Sequence, residues 1–215
     1  MPPSVKFVGV DLDGTLIDAR KRQIAVAQSI ISKLSDVPLK EEDFWNLKRD
    51  GLNTQAALEN LGYSSEMARE IAYRWIRDIE QSRWLKIDEW LPFAKEGLLM
   101  LKDYGVEIRV ITARSKSKNL LRQVSTLGLN SWVNRLEIVD PLRAAESKSH
   151  ILKGAIAFIG DSESDALAAR LAGVPFVAVT TGQRSRAFLE HCHVDTITDD
   201  FSVAASTVLT SWNSH

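Results

Sequence analysis

The sequence predicts an α/β protein whose core is a Rossmann-like, doubly wound parallel sheet, with an all-helical insert placed after the first strand. Three observations carry this expectation. Short β-branched runs alternate with helix-compatible segments that stop at glycine. Three of those runs, from distant parts of the chain, end on polar or acidic residues. Between about Arg20 and Trp90 the alternation breaks, and the chain reads as helices alone.

Residues 5–10 form the first expected strand, which runs directly into Asp11. The insert follows, with helices expected over 23–34, 41–48, 54–61 and 66–82. It holds Trp45, Trp75, Trp84 and Trp90, four of the six tryptophans, which suit the core of a small helical domain. Leu91, Pro92 and Phe93 suit a return hinge. Residues 1–18 and 92–215 are thus expected to make the α/β core, and residues 19–91 a helical lid. The remaining strands are expected over 107–111, 155–159, 175–179 and, more briefly, 194–197. Between them lie helices over 93–104, 116–127 and 165–171, stopped by Gly105, Gly128 and Gly173.

Bulk properties set outer bounds. A length of 215 residues suits one core domain carrying a smaller insert. With 45% hydrophobic and 26% charged residues the chain can bury an ordinary core. A formal net charge of −1 gives no overall electrostatic case for nucleic acid or an acidic membrane. Cys192 is the one cysteine, so no intrachain disulfide can form. The first six residues lack a signal-peptide pattern, and no apolar stretch nears the ~20 residues of a spanning helix. A cytoplasmic, soluble protein is expected, and its oligomeric state is left open.

In a parallel sheet, ligands collect at the carboxyl ends of the strands. Asp11 and Asp13 follow the first strand, Thr112 the second, and Asp161 the third, with Asp165 four residues later. Carboxylates gathered around one hard cation suit Mg²⁺. A carboxylate can also attack phosphorus, and a second one two residues on can serve as acid and base. Gly14 lets the chain turn sharply behind the pair. The Thr112 hydroxyl and the Lys148 ammonium would hold phosphoryl oxygens, where charge needs stabilising.

Asp11-Leu12-Asp13-Gly14-Thr15-Leu16-Ile17-Asp18 resembles motif I of the haloacid dehalogenase superfamily. Ile111-Thr112-Ala113-Arg114 resembles its motif II, Lys148 its motif III (Lys153 being the alternative), and Gly160-Asp161-Ser162-Glu163-Ser164-Asp165 its motif IV. The motifs stand in the family's order. The resemblance implies that Asp11 is the nucleophile and a metal ligand. It makes Asp13 the acid/base residue, lending the metal its backbone carbonyl, Asp161 a further ligand, and Asp165 a residue orienting the site. Dehalogenases of the superfamily lack an acid at the place of Asp13, so its presence implies phosphate chemistry. The helical insert after motif I resembles the C1 cap of the phosphoglycolate-phosphatase-like branch, which opens to admit substrate and closes to exclude water.

In the insert, Lys48 and Arg49 precede a Gly51 turn and a helix N-terminus, and are candidates to bind an anionic part of a substrate. The other reading is a solvated helix end where cations complement the dipole. Arg114 is likewise either a substrate contact or a salt-bridged arginine. His191-Cys192-His193 lacks further ligands at a zinc-like spacing and reads as a surface segment. The expected function is Mg²⁺-dependent hydrolysis of a small phosphorylated metabolite. The alternatives are a phosphomutase of the β-phosphoglucomutase type, or a non-catalytic binding protein on the same fold.

Overall fold

A computed structural model of the chain describes residues 6–213. Val5, the first residue of the expected first strand, and the outer ends of the expected core range lie outside the described residues. Six parallel strands form the main sheet: β1 (Phe7–Val10), β4 (Glu107–Ala113), β5 (Arg135–Val139), β6 (Ala157–Gly160), β7 (Phe176–Val179) and β8 (Ile197–Thr198). Their order is β5-β4-β1-β6-β7-β8. The chain therefore builds outward from β1 on one side, then returns to place β6 on its other side. That reversal makes the carboxyl ends of β1 and β6 the switch point where a ligand crevice opens.

Side-chain alternation explains the two covered faces. Val8, Val10, Val110 and Ile159 point into one apolar cluster, closed by Leu98 and Leu101 of α6 (Ala94–Asp103) and by Phe201, Ala204 and Val208 of α11 (Phe201–Asn213). Their neighbours Ile111 and Phe158 point the other way, onto Leu152 of α8 (Ala144–Leu152) and Ala168 and Ala169 of α9 (Glu163–Ala172). Further helices are α7 (Ser117–Thr126) and α10 (Arg186–His191).

The insert holds α1 (Arg20–Ile31), α2 (Glu41–Arg49), α3 (Thr54–Asn60), α4 (Ser65–Asp78) and α5 (Ser82–Leu85). Asn53 and Ser64 cap α3 and α4 through their side-chain oxygens. Phe44, Trp45, Leu58 and Ile71 anchor a separate apolar cluster, with Trp75 and Trp84 packed against it. Trp90 departs from the expected grouping and packs on the main core, edge-on to Trp132 with ring centroids 6.4 Å apart. The reason is a two-stranded antiparallel ribbon, β2 (Ile17–Asp18) with β3 (Glu89–Trp90), that ties both crossings together. The helix expected to run through residue 82 stops at Asp78, where the chain turns to deliver Glu80 to the core. The polar edge strand β5 is an addition to the expected set.

Candidate active site

Asp11 follows fully buried β1, and its backbone amide donates to the carbonyl of Ile159 at 2.9 Å. Asp161 follows β6, next door in the sheet. Asp165 sits in the first turn of α9, whose N-cap Ser162 holds it in place. Carboxylate oxygens of Asp11, Asp161 and Asp165 lie within 4.8 Å of one another, all buried. Lys148, projecting from α8, donates to Asp11 Oδ1 and to Asp165 Oδ1, each at 2.6 Å. Asp165 Oδ2 accepts from Ser162 Oγ at 2.6 Å, so both of its oxygens are already engaged.

One lysine does not balance three carboxylates. Burial pushes the Asp11 carboxyl up to about 7, with Lys148 opposing the rise and Asp165 and Asp13 adding to it. Asp161 is raised well above the usual carboxylate range, by burial first and then by Asp11 and Asp165. Lys148 is raised despite its burial, because Asp11 and Asp165 favour its charged form. Hard oxygen donors with excess buried negative charge are what a small divalent cation neutralises, so the residues fit such an ion.

The turns around Asp161 are shaped to its carboxylate. Gly14 has φ +82°, and a Cβ there would lie 2.4 Å from Asp161 Oδ2. A Cβ on Gly182 would lie 2.0 Å from the same oxygen. Only glycine fits on either side. The backbone amide of Gln183 completes the cradle, donating to Asp161 Oδ2 at 2.6 Å.

Asp13 stands outside that group of three, its side chain held by two arginines. Its Oδ1 accepts from Arg22 Nη2 at 2.6 Å and from Arg114 Nη2 at 2.7 Å, and Arg114 Nη2 also lies 2.6 Å from Oδ2. Burial would raise the Asp13 carboxyl, but Arg114 and Arg22 together hold it below its ordinary value. Thr112 is buried within β4, two residues beyond Val110, the register partner of Val10. Its strand thus ends at the same edge as β1.

A cavity of about 620 Å³ opens between the insert and this edge. Asp13, Arg22, Lys48, Trp75, Arg114 and Arg184 are among its lining residues. Lys48 is 2% exposed; its Nζ donates to Thr54 Oγ1 at 3.0 Å and lies 4.6 Å from the centre of the Trp75 ring. Burial, with Arg184 nearby, pulls its pKa down to about 7.

Residues 10–179 match the model of a family described as haloacid dehalogenase-like hydrolases. The chain belongs to that family. The phosphoglycolate phosphatase of Vibrio vulnificus (strain YJ016) is 25% identical over 223 residues, spanning 96% of this chain and 97% of its own. That of Caulobacter vibrioides is 29% identical over 193 residues, spanning 81% and 79%. In three dimensions, a haloacid dehalogenase-like hydrolase from Streptococcus pneumoniae superposes with a TM-score of 0.73 at 19% identity, covering 95% of this chain and 98% of that one. No described helix is long and apolar enough to cross a membrane.

The structure brings Asp11, Asp161, Asp165 and Lys148 into one cluster. It places Asp13 and Arg114 beside it as an ion pair, so Arg114 is committed to a carboxylate. Lys48 lines the cavity, but Arg49 does not. The Arg49 guanidinium instead donates to the carbonyls of Gly182 and Thr180, both at 3.0 Å. Arg22 is the residue that sequence reasoning missed. A signal existed: α1 opens with Arg20-Lys21-Arg22 and no acid in its first turn, the wrong sign for a helix N-terminus. Arg22 tolerates that position because it faces Asp13 and also Asp88, 3.2 Å from its Nε.

Proposed function

We propose that this protein is a Mg²⁺-dependent phosphomonoesterase acting on a small phosphorylated metabolite through an aspartyl-phosphate on Asp11. The observation that carries the reading is the buried cluster of Asp11, Asp161 and Asp165 bridged by Lys148, at the switch point of the sheet. Asp11 and Asp161 would hold the cation, with Asp165 orienting Lys148 from behind. Bound there, Mg²⁺ neutralises substrate phosphoryl oxygens and so admits an anion to an acidic site.

The chain's own residues supply the rest. An Asp11 carboxylate oxygen forms a bond to phosphorus while the bond from phosphorus to the ester oxygen breaks. Asp13, held ionised by Arg114 and Arg22 in the free protein, takes up a proton as substrate binds and passes it to the departing oxygen. The ionised Asp13, stabilised by Arg22 and Arg114, then removes a proton from the water that attacks the phospho-aspartate. Phosphate leaves and the Asp11 carboxylate is restored. Thr112 and Lys148 steady the phosphoryl oxygens throughout.

Residues 19–91 serve as a cap whose cavity receives the leaving group. The phosphoglycolate phosphatases among the relatives support a small substrate carrying a second anionic group, and Lys48, which lines the cavity, is the residue we assign to meet it. The test is p-nitrophenyl phosphate hydrolysis by purified protein. Activity that requires Mg²⁺ and vanishes in Asp11→Asn supports the reading, and activity surviving in Asp11→Asn overturns it.

A further inference from the structure

The loop from Thr180 to Ser185, after β7, touches the acidic cluster and the helical insert at once. On the cluster side, its Gln183 amide holds Asp161 Oδ2 at 2.6 Å, and Gly182 packs against the same oxygen. The Thr181 hydroxyl donates to the carbonyl of Gly14 at 2.7 Å, on the other flank of Asp161. On the insert side, Arg49 sits at the end of α2 and spans the loop. Its Nη1 reaches the carbonyl of Gly182 and its Nη2 that of Thr180. The Ser185 amide answers with a bond to the Arg49 carbonyl at 2.9 Å.

We infer that Arg49 is a positioning residue that couples seating of the insert to the orientation of Asp161. A planar guanidinium bonding two carbonyls two residues apart fixes the turn between them, which a single ammonium cannot do. The peptide that follows Gly182 carries the amide that orients Asp161. Loss of the Arg49 grip frees that peptide to rotate, and Asp161 loses the hydrogen bond that fixes the direction of its Oδ2. Thermodynamic reciprocity then requires that a cation held by Asp161 favour the seated insert. The inference rests on the proposed reading only in taking Asp161 as a ligand of the divalent ion.

A second contact between insert and core provides the control. Glu80 accepts from the backbone amides of Ser115 and Lys116, at 3.0 and 2.6 Å, away from the loop. Mg²⁺ affinity is measured by isothermal titration calorimetry on wild type, Arg49→Ala, Arg49→Lys and Glu80→Ala, with near-UV circular dichroism confirming that each variant folds. Arg49→Ala is expected to raise the Mg²⁺ Kd about tenfold, as loss of a residue supporting a metal ligand does. Arg49→Lys should recover less than half of the loss on a logarithmic scale, and Glu80→Ala should stay within about twofold of wild type. At saturating Mg²⁺, kcat of Arg49→Ala should return near wild type, separating positioning from chemistry. An unchanged Kd in Arg49→Ala, or equal weakening in Glu80→Ala, overturns the inference while leaving the phosphatase reading intact. A wild type that binds no Mg²⁺ overturns both.

Discussion

Lys148 Nζ lies 2.6 Å from Asp11 Oδ1, a contact joining residues 137 positions apart in the chain. The ammonium and the carboxylate are both buried, so each compensates a charge that would otherwise be stranded. Lys148→Ala should therefore cost stability and catalysis together. The expected losses are about 3–5 kcal/mol of folding free energy, as for a buried pair with one partner removed, and about 100-fold or more in kcat. Denaturant unfolding and steady-state kinetics measure the two. A variant with wild-type kcat would remove Lys148 from the site.

Metal-free protein should become less stable as pH rises from about 4 to 7. Asp11, with a folded-state value of about 7, and Asp161, also raised, bind protons in the folded state that the unfolded chain has already released. Their contribution is therefore fully present below the unfolded value and is lost as pH climbs through the folded one. A cation replaces those protons, so its stabilising effect should grow over the same range. Tm measured in Mg²⁺ and in EDTA should diverge from pH 5 to pH 8. A gap independent of pH would contradict this.

Lys48 carries its charge at a cost to the fold. Its folded value of about 7 lies below that of the free side chain, so the unfolded chain binds more protons between pH 7 and about 10.5. The destabilisation is full below pH 7 and fades as pH rises. Lys48→Met, similar in volume and uncharged, should raise Tm more at pH 6 than at pH 9. The same variant should raise KM about tenfold for a phosphomonoester with a second anionic group, the size of one charged hydrogen bond, and leave p-nitrophenyl phosphate nearly unaffected. Equal effects on both substrates would exclude Lys48 as a reader of the leaving group.

Gly14→Ala tests the cradle around Asp161. The substitution meets a positive φ and places Cβ 2.4 Å from Asp161 Oδ2, whereas Gly62, also at positive φ, has nothing within 4 Å. Both variants should lose about 1 kcal/mol or more to backbone strain. Only Gly14→Ala should also weaken Mg²⁺ activation, by about tenfold or more. Mg²⁺ titrations of phosphatase activity separate the two effects.

The parts of this molecule that can be read from its sequence are those coded locally. A buried parallel strand is a short apolar run, and its end is marked by the polar residue that follows, so Asp11 and Asp161 announce themselves. Thr112 falls inside β4 because the ladder to β5 extends through Ala113↔Val139. β5 itself, Arg-Leu-Glu-Ile-Val, carries charges of an edge strand and lacks the apolar continuity of a central one. The β2–β3 ribbon has two residues on each side, too few for periodicity to show. Pairings between distant segments are less visible still. Arg49 meets the carbonyls of Gly182 and Thr180 only because the insert folds back over the sheet edge.

Covalent capture is the sharpest test of an aspartyl-phosphate on Asp11. Protein mixed with substrate and Mg²⁺, quenched in acid within one turnover and digested, can be weighed peptide by peptide. One phosphoryl group is expected on the peptide containing Asp11, absent from Asp11→Asn and from samples without Mg²⁺. Turnover with no phosphoryl group on that peptide, or with one on a different residue, would contradict it.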